Sequence, residues 1–165
     1  MKKTSSPHPQ PSVSHASRRA DVPARDAGKK PPATESDALL ATARAAARRA
    51  YCPYSRFQVG AAILTDDDRI FTGANVENAS YGLTVCAERA ALLAAVHAGA
   101  RRFAALAVVT RSPTPVAPCG ACCQVLAEFC DASLPVLCGS LKHARVKQTT
   151  LGALLPDAFR LKGTP

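Results

Sequence analysis

Four residues of this chain could do chemistry together: Cys86, Glu88, Cys119 and Cys122. Cys119 and Cys122 form a C-x-x-C pair, a spacing that lets two thiolates share one tetrahedral zinc. Cys86 lies 33 residues upstream, in Cys86-Ala87-Glu88-Arg89, and Pro118 immediately precedes the pair. Both segments fall where helices should begin, so backbone N–H groups and the helix dipole favour the thiolate form. A fourth protein ligand would close such a site into a structural one; without it, water takes the open position. Cys130 and His97 sit about 12 and 16 Å along their helices from Cys122 and Cys86, out of reach of zinc–ligand bonds of about 2.3 Å. Cys123 is adjacent to Cys122, but its side chain points about 100° around the helix. Cys52 and Cys138 stay open on this arithmetic. Three thiolates plus water is the leading count. Glu88, two residues after a candidate ligand, can face the open side, where zinc brings the pKa of bound water toward about 7. A carboxylate there can take a proton and pass it on. A lone C-x-x-C would instead favour a zinc ribbon or buried free thiols; Glu88 has no use in either.

These segments need elements to hold them. Thr34 with Asp37 matches a capping box, and Leu39, Leu40, Ala43, Ala46, Ala47 and Ala50 recur at helical spacing until Pro53. Residues 57–65 and 69–76 read as a β-hairpin around Asp66-Asp67-Asp68, a solvated turn rather than a cation site. A second helix is expected from Thr84 to about Ala98, stopped by Gly99, and residues 103–110 form a buried strand. Pro113, Pro115 and Pro118 hold a loop before a third helix over 119–129. Residues 134–138 predict another buried strand, with a further strand near Val146 and a short helix over 151–155. Strands alternating with helices after an initial hairpin indicate an α/β sandwich with a mixed sheet.

Composition narrows the class. The chain is 47% hydrophobic but only 5% aromatic, without Trp, so its core is built from small and branched aliphatic side chains. No apolar run approaches the roughly 18–20 residues of a membrane span, and no secretory signal is expected at the N-terminus. Seven cysteines, an odd number outside any regular framework, fit a metal site in a reducing cytosol better than disulfides. The formal charge of +9 divides almost evenly between the first 36 residues and the rest. It forms no basic stripe interleaved with aromatic residues, so solvated charge is preferred to a nucleic-acid surface. Residues 1–33 read as a disordered basic tail rich in Pro and Ser, and 34–165 as one folded domain.

The combined C-x-E and P-C-x-x-C match the signature of zinc deaminases, whose non-ligand Glu serves as general acid and base. Together with Cys52 to Ser55, residues 57–62, Asn75 to Asn78 and Leu154-Leu155-Pro156, they resemble the small, homotetrameric cytidine deaminases of pyrimidine salvage. The likeness covers about residues 38–160. It implies a three-layer α/β/α sandwich around a mixed sheet of about five strands. It also implies a cytoplasmic homotetramer that deaminates cytidine and deoxycytidine to uridine and deoxyuridine, acting on a small nucleoside and water, with no polymer or membrane partner. Carried over by position, Cys86, Cys119 and Cys122 hold one Zn2+ and Glu88 shuttles protons. Asn75 and Glu77 bind the ribose, and Phe57 packs on the pyrimidine. The Ala87 N–H meets the base carbonyl, and the Ala117 carbonyl meets the 4-amino group. Arg89 donates to the thiolates. Tyr54 falls at a subunit contact and Phe159 reaches toward the next subunit's pyrimidine, although the residues alone allow Phe159 to pack on its own domain. Asn75 and Glu77 alone read as a polar strand end. One departure is Cys123, where the family usually has Arg. Rival readings are a blasticidin S type deaminase, an editing deaminase acting on RNA or DNA, and a non-catalytic zinc module.

Overall fold

The computed structural model describes residues 32–161; the expected tail over 1–33 falls almost wholly outside them. Helix α1 (Ala33–Ala47) is followed by strands β1 (Val59–Thr65) and β2 (Ile70–Ala74), then α2 (Ala87–His97) and β3 (Phe103–Thr110). Helix α3 (Gly120–Ala127), β4 (Pro135–Ser140), β5 (Lys147–Thr150) and the single turn α4 (Leu151–Leu154) complete the chain. The sheet order is β2-β1-β3-β4-β5, with β3 and β4 parallel and every other pair antiparallel.

Alternation along the strands produces the layers, because successive side chains leave a strand on opposite faces. Ala61, Ile63, Leu106, Val108, Val136 and Cys138 turn to one face, where they pack with Ala91 and Leu92 of α2 and Leu126 of α3. Ala62, Leu64, Ala105, Ala107, Val109 and Leu137 turn to the other, against Leu39, Leu40 and Ala43 of α1. The result is the three-layer α/β/α sandwich with a five-stranded mixed sheet. Small residues set how closely the layers approach. A Cβ at Gly73 would lie 2.3 Å from the Ala87 carbonyl oxygen, and one at Gly60 would lie 2.2 Å from that of Ala43. The missing side chains let α2 and α1 settle directly on the hairpin.

Several element boundaries differ from expectation. Helix α1 starts at Ala33 with Pro32 at its N-cap and no side-chain cap bond. The Thr34–Asp37 capping box is therefore not used: Pro32, with its fixed φ and its carbonyl accepting from Ser36 N at 2.9 Å, opens the helix instead. Helix α2 starts at Ala87 rather than Thr84, after a 3₁₀ turn over Tyr81–Leu83. Strand β1 starts at Val59, not Phe57, because the Asn75 side chain takes the bonds a strand partner would make: it accepts from Val59 N at 2.9 Å and donates to the Phe57 carbonyl at 3.0 Å. The turn at 66–68 is present, with Asp68 at φ 64. Asp66 pairs with Arg102 and Asp67 with Arg69. The Thr65 hydroxyl, donating to Asp67, holds that carboxylate below its ordinary range. Gly99, at φ 88, ends α2 where the sequence stops it.

Candidate active site

The first turns of α2 and α3 meet beside the carboxyl end of β3. Cys86 is the N-cap of α2 and Cys119 the N-cap of α3, and neither thiol is spent on a side-chain cap bond. The Sγ atoms of Cys86, Cys119 and Cys122 all lie within 4.8 Å of one another. Among the described residues, neither Cys52 nor Cys138, the two left open by arithmetic, belongs to this cluster. Three soft donors at two helix starts, with no fourth ligand atom beside them among the described residues, suit a borderline-soft cation that keeps one coordination position for another molecule.

Electrostatics at the cluster agree with that donor set. The Cys122 thiol and the Arg89 guanidinium both stabilise Cys86 as thiolate, drawing its pKa down to about 5. The same bond to Cys86 pushes the Cys122 thiol strongly up. The thiols therefore share protons that a divalent cation displaces. Arg89 Nη2 donates to the Thr84 carbonyl at 2.7 Å and approaches Cys86 Sγ at 3.7 Å. Its Nε is buried without a partner, so this cation is held beside the thiols at a cost that negative charge there offsets. Cys123 is buried, and its thiol is turned back toward the Pro118 carbonyl at 3.8 Å. Burial raises its pKa. It supplies no positive charge to the cluster.

Glu88, one residue into α2, is only 5% exposed. Burial raises its pKa, and the Cys86 charge adds to the effect. It lines a cavity of about 210 Å³ together with Cys86, Cys119, Ala87, Ala117, Phe57 and Asn75. That is smaller than the roughly 300–1,000 Å³ of pockets that enclose drug-sized ligands, and it suits a single ring. Phe57 stands at the rim, 37% exposed. The Asn75 amide has used one acceptor position on Val59 N and one donor position on the Phe57 carbonyl, and retains one of each.

The remaining predicted residues lie outside this cavity. Glu77 and Tyr54 line an adjoining hollow of about 330 Å³, with Thr84 common to both. The Glu77 carboxylate accepts from Tyr54 N at 3.0 Å and Ser55 N at 3.2 Å, and also from the Ser55 hydroxyl, which lower its pKa. Phe159 is 68% exposed and does not line its own chain's cavity. Sequence reasoning passed over Thr84, Thr110 and Val116, which also line the cavity. Thr84 was legible only as a helix start. It precedes α2 instead, its carbonyl holding Arg89 and its hydroxyl accepting from Asn78 N at 3.1 Å.

With an open side on a metal cluster and a buried proton-carrying group beside it, the centre is one that activates water. Known proteins place it further. The family model for the cytidine and deoxycytidylate deaminase zinc-binding region matches residues 33–138. A cytidine deaminase of Sporosarcina psychrophila is 51% identical over 121 residues, 73% of this chain and 88% of that protein. One from Mycobacterium tuberculosis is 47% identical over 134 residues, 81% and 96% of the respective chains. The crystal structure of cytidine deaminase from Burkholderia pseudomallei superposes with a TM-score of 0.72 at 52% identity, covering 74% of this chain and 98% of that one. The chain belongs to the cytidine and deoxycytidylate deaminase family. It is a zinc-dependent hydrolytic deaminase, with one Zn2+ per chain. Among the described residues no helix is long and apolar enough to cross a membrane.

Proposed function

We propose that this protein hydrolyses cytidine and deoxycytidine to uridine and deoxyuridine, releasing ammonia, in pyrimidine salvage in the cytoplasm. The observation that carries this reading is the three-thiol cluster and the buried Glu88 opening on one ring-sized cavity. The names of the relatives support the substrate. In this reading Cys86, Cys119 and Cys122 hold the zinc, which when bound acidifies water and so supplies the nucleophile at neutral pH. Glu88 takes one proton from water and delivers it to ring N3 as the water oxygen bonds to C4. It then takes the second proton from the new C4 hydroxyl and gives it to the 4-amino group, which leaves as ammonia as the C4–N bond breaks and the C4 carbonyl forms. Burial of Glu88 raises its pKa above the ordinary carboxylate range, the direction that suits a group that must both accept and donate a proton. The Ala87 N–H, at the positive start of α2, holds the base carbonyl, and the Ala117 carbonyl accepts from the 4-amino group. Phe57 covers the ring. Asn75 offers its remaining donor and acceptor to the ribose 3′-hydroxyl, and Glu77 joins it by sharing the carboxylate that now anchors residues 54–55. Arg89 offsets thiolate charge.

The working assembly in this reading is a homotetramer, with Tyr54 at a subunit contact and Phe159 reaching a neighbour's cavity. Residues 1–33 stand outside the catalytic domain, which spans 34–165, and no nucleic-acid polymer is a partner. The exposure of Tyr54, Tyr81, Leu83 and Phe159 supports such contacts. The test is ammonia release from cytidine, deoxycytidine and blasticidin S by zinc-loaded protein. Turnover of the two nucleosides with none of blasticidin S is expected; the reverse would sink the proposal.

A further inference from the structure

Residues 156–161 form neither helix nor strand, so their backbone groups must find partners outside a ladder. One residue of the segment is held twice by a single side chain. Gln124 Oε1 accepts from Phe159 N at 3.1 Å, and Gln124 Nε2 donates to the Phe159 carbonyl at 2.7 Å. An amide that bonds both groups of one residue closes the kind of ring a neighbouring strand would. It fixes the direction of the backbone and hence of the side chain. Arg160 Nη2 adds a third tie, to the Cys130 carbonyl at 2.8 Å. Just before these ties Ala158 packs inward on the core, while the Phe159 ring stands out and Leu161 beyond it is 66% exposed. A loose segment would lay its aromatic ring on the nearest apolar surface of its own domain. This one is held off it.

Gln124 also lies two residues beyond Cys122 on α3, about 200° around the axis. Cys122 is buried toward the metal cluster and Gln124 faces the C-terminal segment. The first turns of α3 therefore carry a metal thiol on one side and the tether on the other. We infer that Gln124 is a positioning residue: it clamps the Phe159 backbone to the metal-binding helix and aims the exposed ring at the cavity of a second copy of the chain. The inference rests on the role given to Phe159 under Proposed function.

The test uses zinc-loaded, full-length protein with Gln124→Met, which keeps the length of the side chain and removes both bonds. Amide hydrogen exchange across residues 156–161 should rise about tenfold, zinc content should stay at one per chain, and KM for cytidine should rise several-fold while kcat changes less than twofold. The double variant with Phe159→Ala should be no worse than Phe159→Ala alone, since both act through one ring. Gln124→Glu keeps the acceptor for Phe159 N and loses the donor, so its exchange should fall between wild type and Gln124→Met. Unchanged exchange in both variants, additive KM effects, or loss of zinc in both would overturn the inference. Faster exchange in Gln124→Met together with a wild-type KM in Phe159→Ala would keep the clamp and overturn the role given to the ring.

Discussion

Adding one methyl group at Gly73 asks whether the deaminase site depends on how closely α2 lies on the hairpin. The new Cβ would sit 2.3 Å from the Ala87 carbonyl oxygen and 2.4 Å from Ala91 N. Both are backbone atoms and cannot rotate aside. Reaching ordinary contact requires the first turn of α2 to withdraw by about 1 Å, and Cys86 and Glu88 travel with it. Overpacking of this kind costs about 1–3 kcal/mol, and a misplacement of about 1 Å at reacting groups costs on the order of 10²-fold in rate. Gly60→Ala is the matched control: its Cβ would meet Ala43 O at 2.2 Å and Ala47 N at 2.4 Å, against α1 on the opposite face. Urea unfolding should show a similar loss of stability in the two variants. Steady-state deamination of cytidine, normalised to folded, zinc-loaded protein, should fall about 100-fold only in Gly73→Ala. Equal losses of kcat/KM in both variants, or full activity in folded Gly73→Ala, would refute the argument that this contact positions the site.

Other outcomes follow from the same geometry. Glu88→Gln should retain zinc by elemental analysis and lose about 10²–10⁴ in kcat, the range for a proton-transfer group; near-normal turnover would remove Glu88 from the mechanism. Cys119→Ala should lose the metal, and full zinc content in it would break the ligand assignment. In alkylation mapped by mass spectrometry, chelator should expose Cys86 and Cys119. Cys130 and Cys138, whose thiols burial pushes up to about 12 and about 11, should stay unmodified in both states until the chain unfolds. Light scattering should give a tetramer, and an active monomer with wild-type behaviour of Phe159→Ala would exclude a shared cavity.

Much of this architecture was legible because strong local signals coincided with tertiary demand. The buried run over β3 and the stop at Gly99 both did so. The metal cluster was legible because C-x-E and P-C-x-x-C each fall at a helix start; distance along the helices removed Cys130 and His97, and Cys52 and Cys138 were left to the fold. What was missed depends on side chains replacing backbone partners. Asn75 completes the bonding of β1 ahead of its ladder and so delays its start, a trade that periodicity cannot register. Helix α3 ends at Ala127 rather than Phe129 where the Phe129 N–H tightens onto the Leu126 carbonyl, three residues back, at 3.1 Å. The hydrogen bonds from residues 54–55 that occupy Glu77 join positions more than twenty residues apart, and neither segment announces the other.

The parallel pairing of β3 with β4 has a further consequence for how the chain stays folded. Cys86 precedes β3, whereas Cys119 and Cys122 follow it, so an ion held by all three fastens the hairpin half of the sheet to the crossover half. That closes a covalent-like loop across the 33-residue separation between Cys86 and Cys119. A disulfide spanning such a loop removes roughly 3–4 kcal/mol of unfolded-state freedom in the chain-entropy description. In a compartment that keeps thiols reduced, a chelated ion is the cross-link that remains available, as long as the unfolded chain binds it more weakly. Metal depletion would then lower the stability of the domain as a whole, and its first local sign would be loosening where the starts of α2 and α3 meet.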